Sequence, residues 1–155
     1  MEEPVIGKGV SYLIRDFALA DQAATKQLIL NGLVEHWGFL DQTLNPDLEN
    51  ISDHYRGNTF LVAELAGEVV GSGALVHENE GVARIVRMSV ACKLRRKGIG
   101  RAILERLLLA AREKGYRKVV LETTETWLDA ITFYERNGFR TVGFSEGDRH
   151  FELDL

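Results

Sequence analysis

The middle of the chain contains a short apolar run, a basic turn with two glycines and an amphipathic helix, in that order. Residues 85–90 are mostly apolar and β-branched, which predicts a strand. Downstream, apolar residues recur at helical spacing from Ile99 to Ala111. The turn between the two reads Arg95-Arg96-Lys97-Gly98-Ile99-Gly100-Arg101.

This turn has the features of an anion site. A helix N-terminus presents unpaired backbone N–H groups and the positive end of the helix dipole. Glycines allow an anion to approach that backbone closely, and arginine and lysine supply charge and hydrogen bonds that suit phosphate oxygens. The turn therefore predicts a phosphate or pyrophosphate site, with an ordinary solvated basic turn as the alternative. It is neither a Walker loop nor a dinucleotide-binding loop, because it lacks Gly-Lys-Ser/Thr and Gly-x-Gly-x-x-Gly.

The whole chain reads as strands and helices in the order β-α-α-β-β-β-α-β-α-β-β. Asp21 is a candidate N-cap for the first helix, which Gly38 ends, and Asn45 with Pro46 is a candidate start for the second. A hairpin meander followed by helical crossovers predicts a mixed α/β fold. We expect a mostly antiparallel, twisted sheet of about six to seven strands, flanked by about four helices. No repeat or linker divides the chain, so residues 1–155 are predicted to form one domain.

Composition limits the classes of function. The net charge of −4 argues against a general nucleic-acid binder and makes the basic turn a local feature. Cys92 is the only cysteine, which excludes an internal disulfide and fits a reducing cytoplasm. The four histidines show no ligand spacing, so we predict no metal site. The acidic start after Met1 and the lack of a long apolar run lead us to expect neither a signal peptide nor a membrane span.

Two motifs together resemble the GNAT N-acyltransferases. The turn matches Arg-x-x-Gly-x-Gly and resembles the acyl-CoA pyrophosphate loop of that family. Residues 130–139, Ala-Ile-Thr-Phe-Tyr-Glu-Arg-Asn-Gly-Phe, resemble its Ala-Ile-x-x-Tyr-Glu-x-x-Gly-Phe segment. The spacing of the motifs and the order of the elements also match, so the resemblance covers nearly the whole chain. It implies transfer of an acyl group, usually acetyl, from coenzyme A to an amine. Because many members of the family form homodimers, it also implies a possible homodimer.

The resemblance also implies which residues hold acetyl-CoA. In the family, the strand before the loop splays away from its neighbour, and its backbone binds the pantetheine arm. Backbone N–H groups of the loop then bind the pyrophosphate, and the basic side chains supply charge. The implied acetyl-CoA residues here are Met88, Ser89, Val90, Arg95, Arg96, Lys97, Gly98, Ile99, Gly100 and Arg101.

Tyr134 occupies the motif position of a catalytic tyrosine. The resemblance implies that its phenol donates a proton to the leaving thiolate, and packing of the ring alone is the alternative. The base is harder to assign, since Arg84 and Arg87 stand in the strand where some members carry a glutamate. Glu122 is the tentative base, and capping or pairing with an arginine is its alternative.

The acceptor site has no common signature in the family. Trp37 and Phe39 lie in an irregular segment where members build much of that site, with burial under the sheet as an equal alternative. Trp127 stands where many members have an asparagine that contacts coenzyme A, so it is a tentative channel residue or a core residue. The sequence thus favours a cytoplasmic, acetyl-CoA-dependent N-acetyltransferase acting on a primary amine, with nucleic acid and membranes excluded as partners. A non-catalytic acyl-CoA-binding regulatory module is the alternative.

Overall fold

The computed structural model describes residues 4–7 and 10–155, and in these ranges eight strands form a single sheet. The order is β1-β2-β3-β4-β5-β6-β8-β7, and neighbouring strands are antiparallel except β5 and β6, which are parallel. The strands are β1 Pro4–Gly7, β2 Val10–Asp16, β3 Thr59–Leu65, β4 Glu68–Asn79, β5 Val82–Val90, β6 Lys118–Thr124, β7 Arg140–Ser145 and β8 Asp148–Asp154. The α-helices are α1 Gln22–Trp37, α2 Ile51–His54, α3 Ile99–Glu113 and α4 Leu128–Arg136. None of the helices in the described ranges is long and apolar enough to cross a membrane.

This architecture confirms the predicted mixed α/β class, but the sheet has one more strand than the predicted order. The additional strand is β1, whose four residues pair antiparallel with β2, Val5 opposite Tyr12. Four residues that begin with proline are too few to show a periodicity, so the pattern does not predict this strand. The remaining elements follow the predicted order, and several strands extend by a few residues at their ends.

The two faces of the sheet carry different helices and separate apolar clusters. On one face, α3 and α4 cover a large cluster that includes Ile85 and Ile103. On the other face, α1 and α2 cover a smaller cluster that includes Ile51. Neighbouring side chains of a strand point to opposite faces. Arg84 and Glu122, which contact each other, therefore lie on the α1/α2 face.

The helix ends follow the sequence signals only in part. Gly38 ends α1 in the left-handed conformation (φ 79°), and its N–H donates to the Val34 carbonyl at 2.7 Å, as predicted. Asp21 lies at the N-terminus of α1 but does not cap it with its side chain, so the predicted cap is wrong. Its carboxylate accepts instead from the Ala18 N–H and from the Arg15 guanidinium, at 2.8 and 2.7 Å.

The parallel pair in the sheet separates after a short contact. β5 and β6 are in register only over three pairs, the last of which joins Arg84 to Val120. Beyond that point β5 stays paired with β4 up to Val90, and β6 stays paired with β8 up to Thr124. The carboxyl ends of β5 and β6 thus border an opening in the sheet, and the edge of β5 that faces β6 is unpaired there.

A bulge in β5 lies beside this opening. Ser72 pairs with Ser89 and Ala74 with Val86, so two β5 residues, Arg87 and Met88, stand opposite one β4 residue. Arg87 has a left-handed backbone (φ 57°), and its carbonyl accepts a 2.7 Å hydrogen bond from the Ser72 hydroxyl. Bulges redirect side chains and recur next to functional sites. Here the bulge reorients the strand just before the basic turn.

Candidate functional site

The basic glycine turn lies directly beyond the open end of β5. Arg96 (φ 64°) and Gly98 (φ 88°) both have left-handed backbones, and Gly98 is the N-cap of α3. Because Gly98 has no side chain, the N–H groups in the first turn of α3 have no side-chain cap. They form a positively polarised end at which an anion can bind. The hydroxyl of Tyr12, on β2, donates to the Gly98 carbonyl at 3.2 Å and ties the turn to the sheet.

The four basic side chains of the turn divide into two groups. The Arg95 guanidinium is directed to α1, where it donates to both carboxylate oxygens of Glu35, at 2.6 and 3.2 Å. Arg101 pairs with a glutamate one turn further along α3 at 3.0 Å. Arg96 and Lys97 form no ion pair with the described part of the chain, so their charges are the ones available to a phosphate.

The strand before the turn presents the three residues implied for the pantetheine arm. Met88 and Val90 pack against the cluster under α3, and the Ser89 hydroxyl lies beside Gly32 of α1. Their side chains are thus held on both faces, while the backbone edge towards β6 has no strand partner. An extended molecule with amide groups can bind such an edge as an additional strand does.

Tyr134 lies on α4, on the same face as α3. Its ring is buried and packs edge-on against Phe133 and Phe139, with centroids 5.2 and 5.7 Å apart, and it also contacts Phe151. Burial raises the pKa of the phenol well above its ordinary value. Its hydroxyl forms no hydrogen bond with the residues described. The ring therefore packs in the core, as the packing alternative expects. The hydroxyl remains available as a hydrogen-bond donor.

A cavity of about 500 Å³ opens on the α1/α2 face, lined by residues of α2, β4, β5 and β6 and of the segment before α2. Glu122 lines it from β6, two residues beyond the last pair with β5. Its carboxylate accepts from the Arg84 guanidinium, which also donates to Glu78 at 2.7 Å. Glu122 thus lies at the opening, and its carboxylate is already paired with the Arg84 guanidinium.

The same cavity is lined by a partly buried polar cluster of Arg87, Asp47 and Tyr55. Arg87 donates to the two carboxylate oxygens of Asp47 at 2.9 and 2.6 Å and to the Asn45 side chain at 3.1 Å. Tyr55 donates to Asp47 at 2.6 Å. The short helix predicted to start at Asn45 and Pro46 is a 3-10 helix, Pro46–Glu49. Asn45 stands at its N-cap position but gives no side-chain cap, because its oxygen accepts from Arg87. The sequence marks Arg87 only as a departure from the family's glutamate, since its partners lie about 40 residues away.

Two of the aromatic residues expected near the acceptor, Trp37 and Trp127, contact His36 at the end of α1. Its ring stacks on Trp127, with centroids 4.3 Å apart and planes 8° apart, and meets Trp37 edge-on at 4.7 Å. Trp37 and Phe39 are exposed, 46% and 66%, rather than buried under the sheet. This contact joins the C-terminus of α1 to the N-terminus of α4.

Comparison with known proteins agrees with this geometry. The model of the Acetyltransferase (GNAT) family matches residues 25–139. The chain is 38% identical over 112 residues to the N-acetylaspartate synthetase of Rattus norvegicus, in a match that covers 70% of this chain and 38% of that protein. The match therefore spans well under half the length of that relative.

Solved structures share the fold over almost the whole chain. An acetyltransferase of the GNAT family from Staphylococcus aureus Mu50 superimposes with a TM-score of 0.85 at 22% identity, covering 93% of this chain and 99% of that one. The PaiA N-acetyltransferase from Thermoplasma acidophilum, solved in complex with coenzyme A, gives 0.83 at 18% identity, covering 94% and 99%. At these identities the likeness concerns the fold, whereas the family model matches most of the sequence. The chain belongs to the GNAT acetyltransferase family.

Proposed function

We propose that this protein is an N-acetyltransferase that transfers the acetyl group of acetyl-CoA to a primary amine of a small molecule or peptide. The observation that carries the proposal is the edge of β5 without a strand partner, which leads through a short 3-10 turn, Cys92–Leu94, to the uncapped N-terminus of α3. On this strand the Val90 carbonyl accepts from the Arg95 Nε–H at 3.2 Å. A strand edge suits the amides of the pantetheine arm, and a helix N-terminus suits a pyrophosphate. Coenzyme A presents these two groups one after the other, and family membership supports the same donor.

In this proposal the donor is held mainly by the backbone. The edge of β5 at Met88, Ser89 and Val90 binds the pantetheine arm, and the N–H groups of Gly98, Ile99, Gly100 and Arg101 bind the pyrophosphate. Arg96 and Lys97 add attraction, while Arg95 supports the turn from the side through its pair with Glu35. Exposed basic side chains contribute little singly, so we assign most of the affinity to the backbone.

The chemical step is direct attack of the neutral amine on the thioester. A C–N bond forms and the C–S bond breaks, the thiolate takes the Tyr134 proton, and the amine gives up a proton to a base or to water. Tyr134 is the proposed acid because its phenol is protonated at neutral pH and its hydroxyl forms no hydrogen bond with the residues described. Burial raises its pKa and so weakens it as an acid, and the transfer therefore requires the thiolate charge to develop beside the hydroxyl. The phenol then recovers its proton from solvent.

Glu122 is the proposed base, and the cavity it lines is the proposed acceptor site. It lies just beyond the last β5–β6 pair, on the opposite face of the sheet from Tyr134. An amine in the opening between the strands would thus have an acid on one side and a carboxylate on the other. The pair with Arg84 competes with this role, so water is the alternative proton acceptor.

The acceptor is proposed to be small. A cavity of about 500 Å³ matches the size of ordinary small-molecule sites. The rat relative is named for N-acetylaspartate, an acetylated amino acid, which supports an amine of this size. Trp37, Phe39 and Trp127 do not line this cavity, and we propose them as acceptor contacts outside it, since Trp37 and Phe39 expose their rings and Trp127 is half-buried.

Release of the coenzyme A thiol from acetyl-CoA, measured with pools of amines and by mass spectrometry of the products, tests the proposal. We expect thiol release that depends on one pool and matches the acetylated amine one for one. A protein that binds acetyl-CoA and acetylates no pool would instead be the non-catalytic binding module. Tyr116→Phe is a matched control for tyrosine variants, because that hydroxyl contacts His77 rather than the opening.

A further inference from the structure

The partly buried arginine of the proposed acceptor cavity, Arg87, has more hydrogen-bond donors than partners. Arg87 exposes 19% of its side chain and Asp47 only 11%. An arginine carries five N–H donors. One on Nε and two on Nη2 donate to Asp47 and Asn45. The two on Nη1 donate to none of the residues in 4–7 and 10–155 and are open to solvent in the cavity, while the Tyr55 hydroxyl also interacts with the same guanidinium.

Arg87 is also held rigidly in place. Its backbone is fixed by the bulge and by the hydrogen bond from Ser72. Its guanidinium donates to both carboxylate oxygens of Asp47, and Asp47 also accepts from the Tyr55 hydroxyl. Burial alone would raise the pKa of Asp47, but the Arg87 guanidinium and the Tyr55 hydroxyl outweigh it and hold that pKa below its ordinary value. Asp47 is therefore committed as a carboxylate to Arg87 and is not a free anion for a cationic acceptor.

The charges around the cavity are laid out for a molecule that bears both signs. On the β5 side stands Arg87, with two N–H donors that lack a partner. On the β6 side stands Glu122, the proposed proton acceptor, whose carboxylate also pairs with Arg84. His54 lines the same space from α2 and adds no negative charge. A compact ligand with an amine and a carboxylate matches this arrangement better than a polyamine, which would meet the guanidinium with a second cation.

We infer that the acceptor is an amino acid or a similar amino carboxylate, and that the Nη1 group of Arg87 binds its carboxylate while its amine faces the thioester. This inference rests on the proposed acetyl transfer and names the substrate class of that same site. Arg87 would fix the position of the amine by holding the neighbouring carboxylate. Hydrogen bonds to charged groups contribute most when the partners are buried and oriented in advance.

The test compares amines that differ only in the carboxylate. Acetylation rates are measured for the standard amino acids, for their α-amides and for the matching decarboxylated amines. We expect kcat/KM for the preferred amino acid to exceed that of its amide by about tenfold to 150-fold, which corresponds to one charged hydrogen-bonded contact. The difference should appear mainly in KM.

Two variants of the arginine separate its role from folding. Arg87→Lys keeps the charge but loses the fork, and we expect it to reduce the preference for the acid. The double variant Arg87→Gln, Asp47→Asn leaves no unpaired charge in the cluster and should abolish the preference. Both should keep the wild-type affinity for acetyl-CoA. Arg56→Gln removes an exposed arginine beside α2 and serves as the control, with an unchanged preference.

The outcomes distinguish this inference from the proposed function. Turnover of amines with no preference for a carboxylate, or a preference that survives in the double variant, would overturn the inference and leave acetyl transfer intact. If no amine is acetylated, the proposed function fails. Calorimetric binding of the same amino acids and amides to CoA-saturated protein then decides the carboxylate question by itself. Equal affinity for acid and amide would refute it.

Discussion

Replacement of Gly98 by aspartate or by asparagine isolates the electrostatic part of donor binding. Gly98 has a left-handed backbone. Its chain neighbours and the backbone of α3 aside, no atom of the described residues lies within 4 Å of the position that a Cβ would take. Either side chain therefore has room, and these two residues tolerate the left-handed region better than other side chains do. Both also act as N-caps. The two variants thus share the backbone cost and differ by one negative charge at the start of α3.

The size of that difference follows from Coulomb's law. Two unit charges 4 Å apart interact by about 1 kcal/mol in water and about 4 kcal/mol at the effective dielectric near a protein surface. Gly98→Asp should therefore bind coenzyme A about fivefold to 10³-fold more weakly than Gly98→Asn does. Because the aspartate complements the helix dipole, it should not lower the thermal stability relative to asparagine.

Isothermal titration with coenzyme A at two salt concentrations measures this difference directly. Salt screens exposed charges, so the gap between the two variants should narrow as the ionic strength rises. Thermal unfolding of both variants verifies that the fold is retained. Equal affinity of the two variants for coenzyme A would refute the placement of the pyrophosphate at the N-terminus of α3.

Two further substitutions test the chemistry. Tyr134→Phe keeps the aromatic packing and removes only the hydroxyl. We therefore expect the transfer rate to fall roughly 10²- to 10⁴-fold with little change in coenzyme A affinity. An unaltered rate in steady-state assays would exclude the acid role. Glu122→Gln keeps the shape of the side chain and removes the carboxylate, so kcat should fall by about 10²-fold and the acidic limb of the pH–rate profile should disappear. If that variant keeps the wild-type pH–rate profile, water accepts the amine proton and Glu122 serves only as the ion-pair partner of Arg84.

The donor site and the acceptor site differ in how far the sequence predicts them. Strand, glycine turn and helix are contiguous in residues 85–111, so periodicity and spacing are enough to locate them. Tyr134 is indicated instead by the resemblance of its helix to a segment of the family. The sequence even indicates Glu122 as a residue that could pair with an arginine, and the structure identifies that arginine as Arg84.

Contacts between distant segments could not be predicted in this way. Arg95 belongs to the turn in sequence but pairs with Glu35, which lies 60 residues earlier. Arg87 enters the cavity because a bulge interrupts β5, and no residue in that strand signals the bulge. Its partners Asp47 and Asn45 come from a segment without a clear periodicity. Likewise, the Tyr12 hydroxyl reaches the Gly98 carbonyl only because the fold brings β2 next to the N-terminus of α3.

The most direct measurement on the central claim is the affinity of the protein for coenzyme A against that for pantetheine, which has the amide arm but no pyrophosphate. If the first turn of α3 binds the pyrophosphate, coenzyme A forms two or more charged hydrogen bonds that pantetheine does not form. Coenzyme A should then bind at least about 10²-fold more tightly than pantetheine, and Gly98→Asp should remove most of that advantage. Equal affinity for the two molecules would contradict the assignment of the basic glycine turn as the donor site.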